Sequence, residues 1–219
     1  MSSASLGNGL CFALLLASNF AAASTFVVDV TGMSFQPRQS VVAEGTTVTW
    51  INSSPMIHTV TFDPAMARLP GSAAVPAGVA PFDLGLLRAG QSLSHTFNIA
   101  GEYRYFCRPH ESMGHTGELI VIASQPQLTI ETDTQAVTNL HAFVGQDVVW
   151  QNNSGEALSI SVVSPARLDE EGQPTQVLAP VLIEDQSQFV WNWASEESLL
   201  VVLKTGQREL THELKFWSK

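Results

Sequence analysis

The chain is short of cysteine, of basic residues and of long apolar runs, and each scarcity removes a class of protein. Two cysteines in 219 residues, Cys11 and Cys107, rule out a scaffold stapled by disulfides. Cys11 lies in an N-terminal apolar stretch expected to be lost on processing, which leaves Cys107 as a lone thiol. Ten Lys and Arg stand against twenty Asp and Glu, a net charge of −10. Nucleic acid, which calls for basic patches, is therefore not the partner. The apolar run at residues 10–17 falls short of the ~20 residues that span a bilayer, so no membrane span is expected in the mature chain.

What is present is globular: 45% hydrophobic and 14% charged, long enough for two domains of about 100 residues each. Residues 1–23 read as a secretory signal, with Ala21-Ala22-Ala23-Ser24 supplying small residues for cleavage. That predicts an exported protein, periplasmic or extracellular. Short runs of alternating, β-branched character follow at 25–30, 46–52 and 58–62, separated by turn signals, and a stretch rich in Ala, Pro and Gly at 63–81 reads as a long surface loop. Residues 93–99 and 103–107, around Ala100-Gly101, read as a hairpin. Strands at this spacing predict a β-sandwich, an all-β fold.

The second half echoes the first. Gly45 and Trp50-Ile51-Asn52-Ser53-Ser54 answer Gly145 and Trp150-Gln151-Asn152-Asn153-Ser154 at an offset of 100. Phe97-Asn98-Ile99-Ala100 answers Trp191-Asn192-Trp193-Ala194 at 94, and Thr116-Gly117-Glu118-Leu119 answers Thr211-His212-Glu213-Leu214 at 95. Residues 126–219 thus read as a second sandwich, joined at Gln125-Pro126. Residues 25–123 carry a net charge of −2 and residues 124–219 a net −8. Asp169-Glu170-Glu171 and Glu196-Glu197 read as solvated surface, with an acidic docking patch as the rival reading.

The chemistry is concentrated in Cys107-Arg108-Pro109-His110-Glu111-Ser112-Met113-Gly114-His115. One thiol and two imidazoles in a nine-residue loop between strands point to a metal site, and soft thiolate with imidazole suits copper or zinc. A Cys with two His and a weak axial ligand is the blue-copper set. The further equatorial group is His58, in Asn52-Ser53-Ser54-Pro55-Met56-Ile57-His58-Thr59-Val60-Thr61-Phe62.

Together with Tyr103-Arg104-Tyr105-Phe106 ahead of the cysteine, and Phe82-Asp83-Leu84-Gly85-Leu86-Leu87-Arg88-Ala89-Gly90-Gln91-Ser92 between the two motifs, these segments resemble the plastocyanin, pseudoazurin and halocyanin group of cupredoxins. The resemblance covers roughly residues 25–123. It implies a Greek-key copper domain, with a degenerate cupredoxin-like domain at 126–219. The repeat sets Leu158 against His58, Val201 against Cys107 and Lys204 against His110, so no metal is expected in the second half. The chain departs from the family at one ligand. Where plastocyanins keep an axial Met, five residues past the loop His and two before a Gly, this chain has His115, Thr116 and Gly117. Amicyanin-like loops place Met three residues past the His, a count Met113 meets. The x-Gly anchor behind His115 favours His115 as the axial group, with Met113 the alternative.

The metal set is then His58, Cys107, His110 and His115, holding one copper. His95, His141 and His212 read as half-buried strand residues. Pro55, Met56, Met66, Pro109 and Met113 are expected to surround the exposed edge of His110 as a docking face for a redox partner protein, with loop packing the plainer reading. The function implied is that of an exported one-electron carrier. One rival is a copper enzyme, disfavoured because no H-C-H or H-x-H motif offers ligands for a second copper. A small-molecule site, for nitric oxide as an example, is a related reading. A periplasmic copper chaperone or store is another, and five methionines are few for it.

Overall fold

A computed structural model describes residues 24–134, 139–206 and 208–219. The expected signal segment, with Cys11, lies outside the described residues. No helix among them is long and apolar enough to cross a membrane. The chain folds as two β-sandwiches in tandem. The first contains β1 (Thr25–Val30), β2 (Phe35–Gln36), β3 (Gln39–Ala43), β4 (Thr46–Asn52), β5 (His58–Thr61), β6 (Asp83–Leu87), β7 (Ser92–Phe97), β8 (Gly101–Phe106) and β9 (Thr116–Ile122). Its sheets run β2-β1-β4-β7 and β3-β9-β8-β5-β6.

Alternation on these strands makes the core. Val28 and Val30 on β1, Val48 and Trp50 on β4, and Tyr103 and Tyr105 on β8 turn inward and are buried, together with Phe35, Phe62 and Phe97. Edge-on aromatic packing ties the sheets together, with Trp50 and Tyr105 at 5.5 Å and Phe35 and Tyr105 at 4.7 Å between ring centroids. Gly117 is dictated by this packing: a Cβ there would fall 2.3 Å from Tyr105 Cζ.

The expected hairpin at Ala100-Gly101 is not one. β7 pairs with β4 and β8 pairs with β9, so the turn crosses from one sheet to the other. Alternation reveals that both strands face the core, but not which sheet each joins. The corner is fixed by Tyr103, whose hydroxyl donates to the Ile99 carbonyl at 2.7 Å, and by Gly101 at φ 140°.

The second sandwich contains β10 (Gln127–Glu131), β11 (Leu140–Phe143), β12 (Val148–Asn153), β13 (Leu158–Leu168), β14 (Pro174–Ile183), β15 (Gln188–Trp191), β16 (Ser198–Thr205) and β17 (Arg208–Trp217). Its sheets are β10-β12-β15 and β11-β17-β16-β13-β14, around a core that includes Trp150, Ile160, Val162, Leu203 and Phe216. The sandwiches meet where Ile120 and Ile122 of β9 and Val41 of β3 pack on Phe143 and Trp217. His141 bridges them too: it accepts from Trp217 Nε1 at 3.1 Å and faces Glu102 at 2.8 Å.

The ladders also correct the alignment of the repeat. Val48 pairs with His95, and Val148 pairs with Trp191, so His95 corresponds to Trp191 and Phe97 to Trp193. Two tryptophans two residues apart both match an inward aromatic, and the pattern cannot separate them. Thr61 pairs with Phe106, and Ser161 with Val202. Cys107 therefore corresponds to Leu203, not Val201. Phe106 faces Thr116, as Val202 faces Thr211, which sets His115 against Leu210. Where the first sandwich has its nine-residue loop, the second continues the β16–β17 ladder as far as Thr205 and Arg208, and His110 has no strand-paired counterpart.

Candidate metal centre

The site is built at one end of the first sandwich from two segments. β4 ends at Asn52, a buried side chain that organises the turn into β5. Its Nδ2 donates to the carbonyls of Met56 at 2.7 Å and Leu87 at 3.0 Å, and its Oδ1 accepts from Ser54 N at 2.9 Å and Ser54 Oγ at 2.8 Å. With the Ser54 hydroxyl proton committed to Asn52, Ser54 Oγ accepts from His58 Nε2, 2.8 Å away. The proton of His58 is thereby fixed on Nε2, and the Nδ1 lone pair faces inward. Such outer hydrogen bonds set both tautomer and ring orientation in metal sites.

The second segment is the loop after β8. Cys107 leads into a 3-10 turn, Arg108–Met113, which ends at Gly114 in the left-handed region, φ 76°. Cys107 N donates to the His115 carbonyl at 3.0 Å, His110 N to the Cys107 carbonyl at 3.1 Å, and Arg108 N to Thr59 Oγ1 at 2.8 Å. The loop is thus closed on itself and tied to β5.

These segments bring His58, Cys107, His110 and His115 together, with one ligand atom from each all within 4.8 Å of one another. Cys107 Sγ lies 3.5 Å from His58 Nδ1 and 3.3 Å from His110 Nδ1. Cys107, His58 and His115 are wholly buried and His110 is half-buried. Phe35 packs on the His115 ring at 4.4 Å. Among the described residues this is the only group of three or more His, Cys, Asp or Glu able to share an ion. Met113, the alternative ligand, is 54% exposed.

Electrostatics make the set receptive to a cation. Burial lowers the pKa of His58, with help from the neighbouring His110. Burial, then the nearby His58 and His110, holds His115 down at about 4. Both imidazoles are neutral at neutral pH, with lone pairs available. Neither ring nitrogen of His115 makes a hydrogen bond of ordinary geometry, and only the Ser34 backbone offers a weak one, which raises its pKa against the burial; that is an expensive arrangement for a buried ring unless something else takes a lone pair. Burial pushes the Cys107 thiol up, against the pull of the Thr59 and His110 backbone amides and of Arg108. A metal cation reverses that and stabilises the thiolate. One soft sulfur with imidazole nitrogens is the donor set that suits copper.

The remaining histidines lie elsewhere. His95 is half-buried and stacks on Phe82 at 4.4 Å, and His141 sits between the sandwiches. His212 departs from the half-buried expectation: it is 3% exposed and accepts from Trp150 Nε1 at 3.3 Å. Sequence reasoning found the donors but missed Ser54. The Asn-x-Ser spacing, repeated at Asn152 and Ser154, was the available signal for Ser54.

A β-sandwich that gathers a buried thiol and three histidines at one end defines a thiolate–imidazole metalloprotein. The comparisons with known proteins make the class specific. The chain belongs to the plastocyanin/azurin family of copper-binding proteins, whose model matches residues 22–122, and copper is its cofactor. It is 36% identical over 114 residues to the chloroplastic plastocyanin of Tetradesmus obliquus, covering 50% of this chain and 72% of that one. It is 33% identical to the plastocyanin of Scenedesmus fuscus, covering 42% and 91%, and 36% identical to the amicyanin of Paracoccus denitrificans, covering 48% and 73%. These matches take in about half of this chain.

Proposed function

We propose that the protein is an exported one-electron carrier whose single copper is held by His58, Cys107 and His110, with His115 as the axial ligand. Bound copper supplies a one-electron redox couple. The chain's own part is to hold the donors in place. Asn52 and Ser54 fix the His58 tautomer, Thr59 anchors the loop at Arg108, and Phe35 confines His115. The observation that carries the axial assignment is the His115 ring, buried beside the other donors with neither nitrogen in a hydrogen bond of ordinary geometry, while Met113 faces solvent. Four protein donors leave no position held open for a substrate, which favours a carrier over an enzyme.

His110 is the half-buried donor, and its loop neighbours Pro109 and Met113 are exposed. With exposed Pro55 and Met66 they support a docking face for a redox partner protein. Met56 belongs to the packing instead: it is half-buried, and its Cε would lie 3.6 Å from a Cβ built at Gly32.

An axial ligand tunes the potential of such a site, and imidazole stabilises Cu(II) more than thioether does. His115→Met should therefore raise the reduction potential, by at least tenfold in the one-electron equilibrium, or about 59 mV. Met113→Leu should leave it unchanged. The opposite pattern in a voltammetric comparison would make Met113 the axial ligand.

A further inference from the structure

The charges of the first sandwich are unevenly placed. Its cations are five arginines, with no lysine, and four of them lie at the metal end. Arg88 follows Leu87, the strand partner of His58. Arg38 Nη2 donates to the hydroxyl of Thr116, the residue after His115, at 3.1 Å. Arg108 follows Cys107, and the Arg68 amide donates to the carboxylate of Glu111, the residue after His110. Arg38, Arg68 and Arg88 are exposed, and among the described residues none of the three forms an ion pair. The acids at this end are recessed. Glu111 is buried, and Asp29, Asp63 and Asp83 are half-buried, with Asp83 paired to Arg108 at 3.2 Å. The exposed carboxylates, Glu44, Glu102 and Glu118, lie at the far turn and along β8 and β9.

Between the guanidinium groups the surface is apolar. Ile57, Leu86 and Pro109, with Thr59, Arg68 and Arg108, line an open depression beside the ligands His58 and His110. Ile57 is 51% and Leu86 52% exposed. An apolar centre with arginine at its margin is the make-up of a protein contact surface, and the arginine fork matches a carboxylate in two parallel bonds. The acidic half of the molecule is held away from this face. β9 runs seven residues from Thr116 to Ile122, roughly 20 Å at the rise of an extended strand, and Ile122 is where the second sandwich packs. Exposed charges farther apart than about 10 Å are largely screened near ~0.1 M salt. A body arriving at the metal end meets the arginines, not the net charge of −10.

We propose that the metal end docks an acidic redox protein, one whose electron-exchange edge is ringed with carboxylates that pair with Arg38, Arg68 and Arg88. The proposal rests on the carrier reading and ligand set given above, and it adds the sign of the partner's charge.

The test uses the copper-loaded mature chain with both sandwiches present. Ferrous cytochrome b5, an acidic electron-transfer protein, is the probe: its haem iron passes one electron to Cu(II), leaving ferric haem and Cu(I). The second-order rate constant in stopped flow should fall by about fivefold or more between about 50 and about 300 mM salt. Two bodies that sensed only each other's net negative charge would react faster as salt rises. Arg38→Gln, Arg68→Gln and Arg88→Gln combined should lower the low-salt rate constant about fivefold or more and flatten its salt dependence, with the thiolate-to-copper band retained. Lys204→Gln with Lys219→Gln, which removes cations from the second sandwich, should change it less than about 1.5-fold. A wild-type rate constant that rises with salt, a triple variant that reacts like wild type, or a lysine control that slows as much as the triple variant overturns the proposal. If the triple variant does not fold, the wild-type salt dependence and Arg68→Gln decide by the same signs. A wild-type chain that loads copper without the thiolate-to-copper band, or that takes no electron, overturns the ligand set or the carrier reading instead.

Discussion

At the scale of single residues, one buried tryptophan environment recurs with its parts exchanged. In the first sandwich Tyr105 faces Gly117 across β8 and β9, and the tyrosine ring occupies the space a Cβ would need. In the second, Val201 faces His212 at the corresponding pair. A large–small pair has become a small–large one, which conserves volume as core substitutions generally must. His212 then accepts from Trp150 Nε1, and its burial lowers its pKa to about 4, against a weak opposing bond to the Glu213 carbonyl. The unfolded state, with an ordinary histidine near 6.5, binds the proton first as pH falls. Its contribution to stability is therefore full above pH 6.5 and is lost progressively down to pH 4, on the order of 3 kcal/mol. Denaturant unfolding at pH 7 and pH 4.5 should show this loss, and His212→Gln should make it shallower, the remainder coming from the lowered His58, His95 and His115. An equally steep loss in the variant would assign the effect to other groups.

At the scale of elements, the turn after β4 and its counterpart after β12 have the same internal wiring. Asn152 donates to the Glu156 and Ile183 carbonyls and accepts from Ser154 N and Oγ, as Asn52 does around Met56, Leu87 and Ser54. The scaffold is thus separable from the chemistry, since His58 sits on one copy and Leu158 on the other. Asn52→Ala and Asn152→Ala should each cost about 3 kcal/mol through buried groups left unpaired. Only Asn52→Ala should also weaken copper binding, by about 10–100-fold, because Ser54 loses its partner behind His58. Metal titration of the two variants separates these effects, and a loss of affinity in Asn152→Ala would contradict the account. Much of this was legible in the sequence. The nine-residue loop, the His58 segment and the offset-100 repeat are short local patterns. The sheet membership of β7 and β8 was not, because alternation reports burial and not pairing. The register of Trp191 against Trp193 was hidden for the same reason, and the bonds that buried Glu111 accepts from Arg68 N and Leu69 N were hidden because those partners lie about 40 residues away in a loop without periodicity.

At the scale of the molecule, the second sandwich packs against β9, the strand that leaves the ligand loop, through Ile120, Ile122, Phe143 and Trp217. Among its described residues it contributes no donor to the metal group. Deleting residues 126–219 should destabilise the first sandwich, at about 1.5–3 kcal/mol for each large apolar side chain re-exposed. The optical spectrum of the folded remainder should stay nearly unchanged. A bleached or strongly altered spectrum would mean that the second half acts on the site directly. Its net charge of −8 includes exposed side chains such as Glu170, Glu171 and Glu196, but Glu197 departs from the solvated expectation: it is half-buried and accepts from Ser164 Oγ at 2.8 Å, Arg167 Nη2 at 2.6 Å and Trp193 Nε1 at 2.8 Å.

The most direct measurement is a copper titration of the mature chain, followed through the thiolate-to-copper absorption, beside the same titration of Cys107→Ala. The wild-type signal should saturate at one equivalent and the variant should develop none. Saturation at two equivalents, or a band that persists without Cys107, would contradict a single centre built on His58, Cys107, His110 and His115.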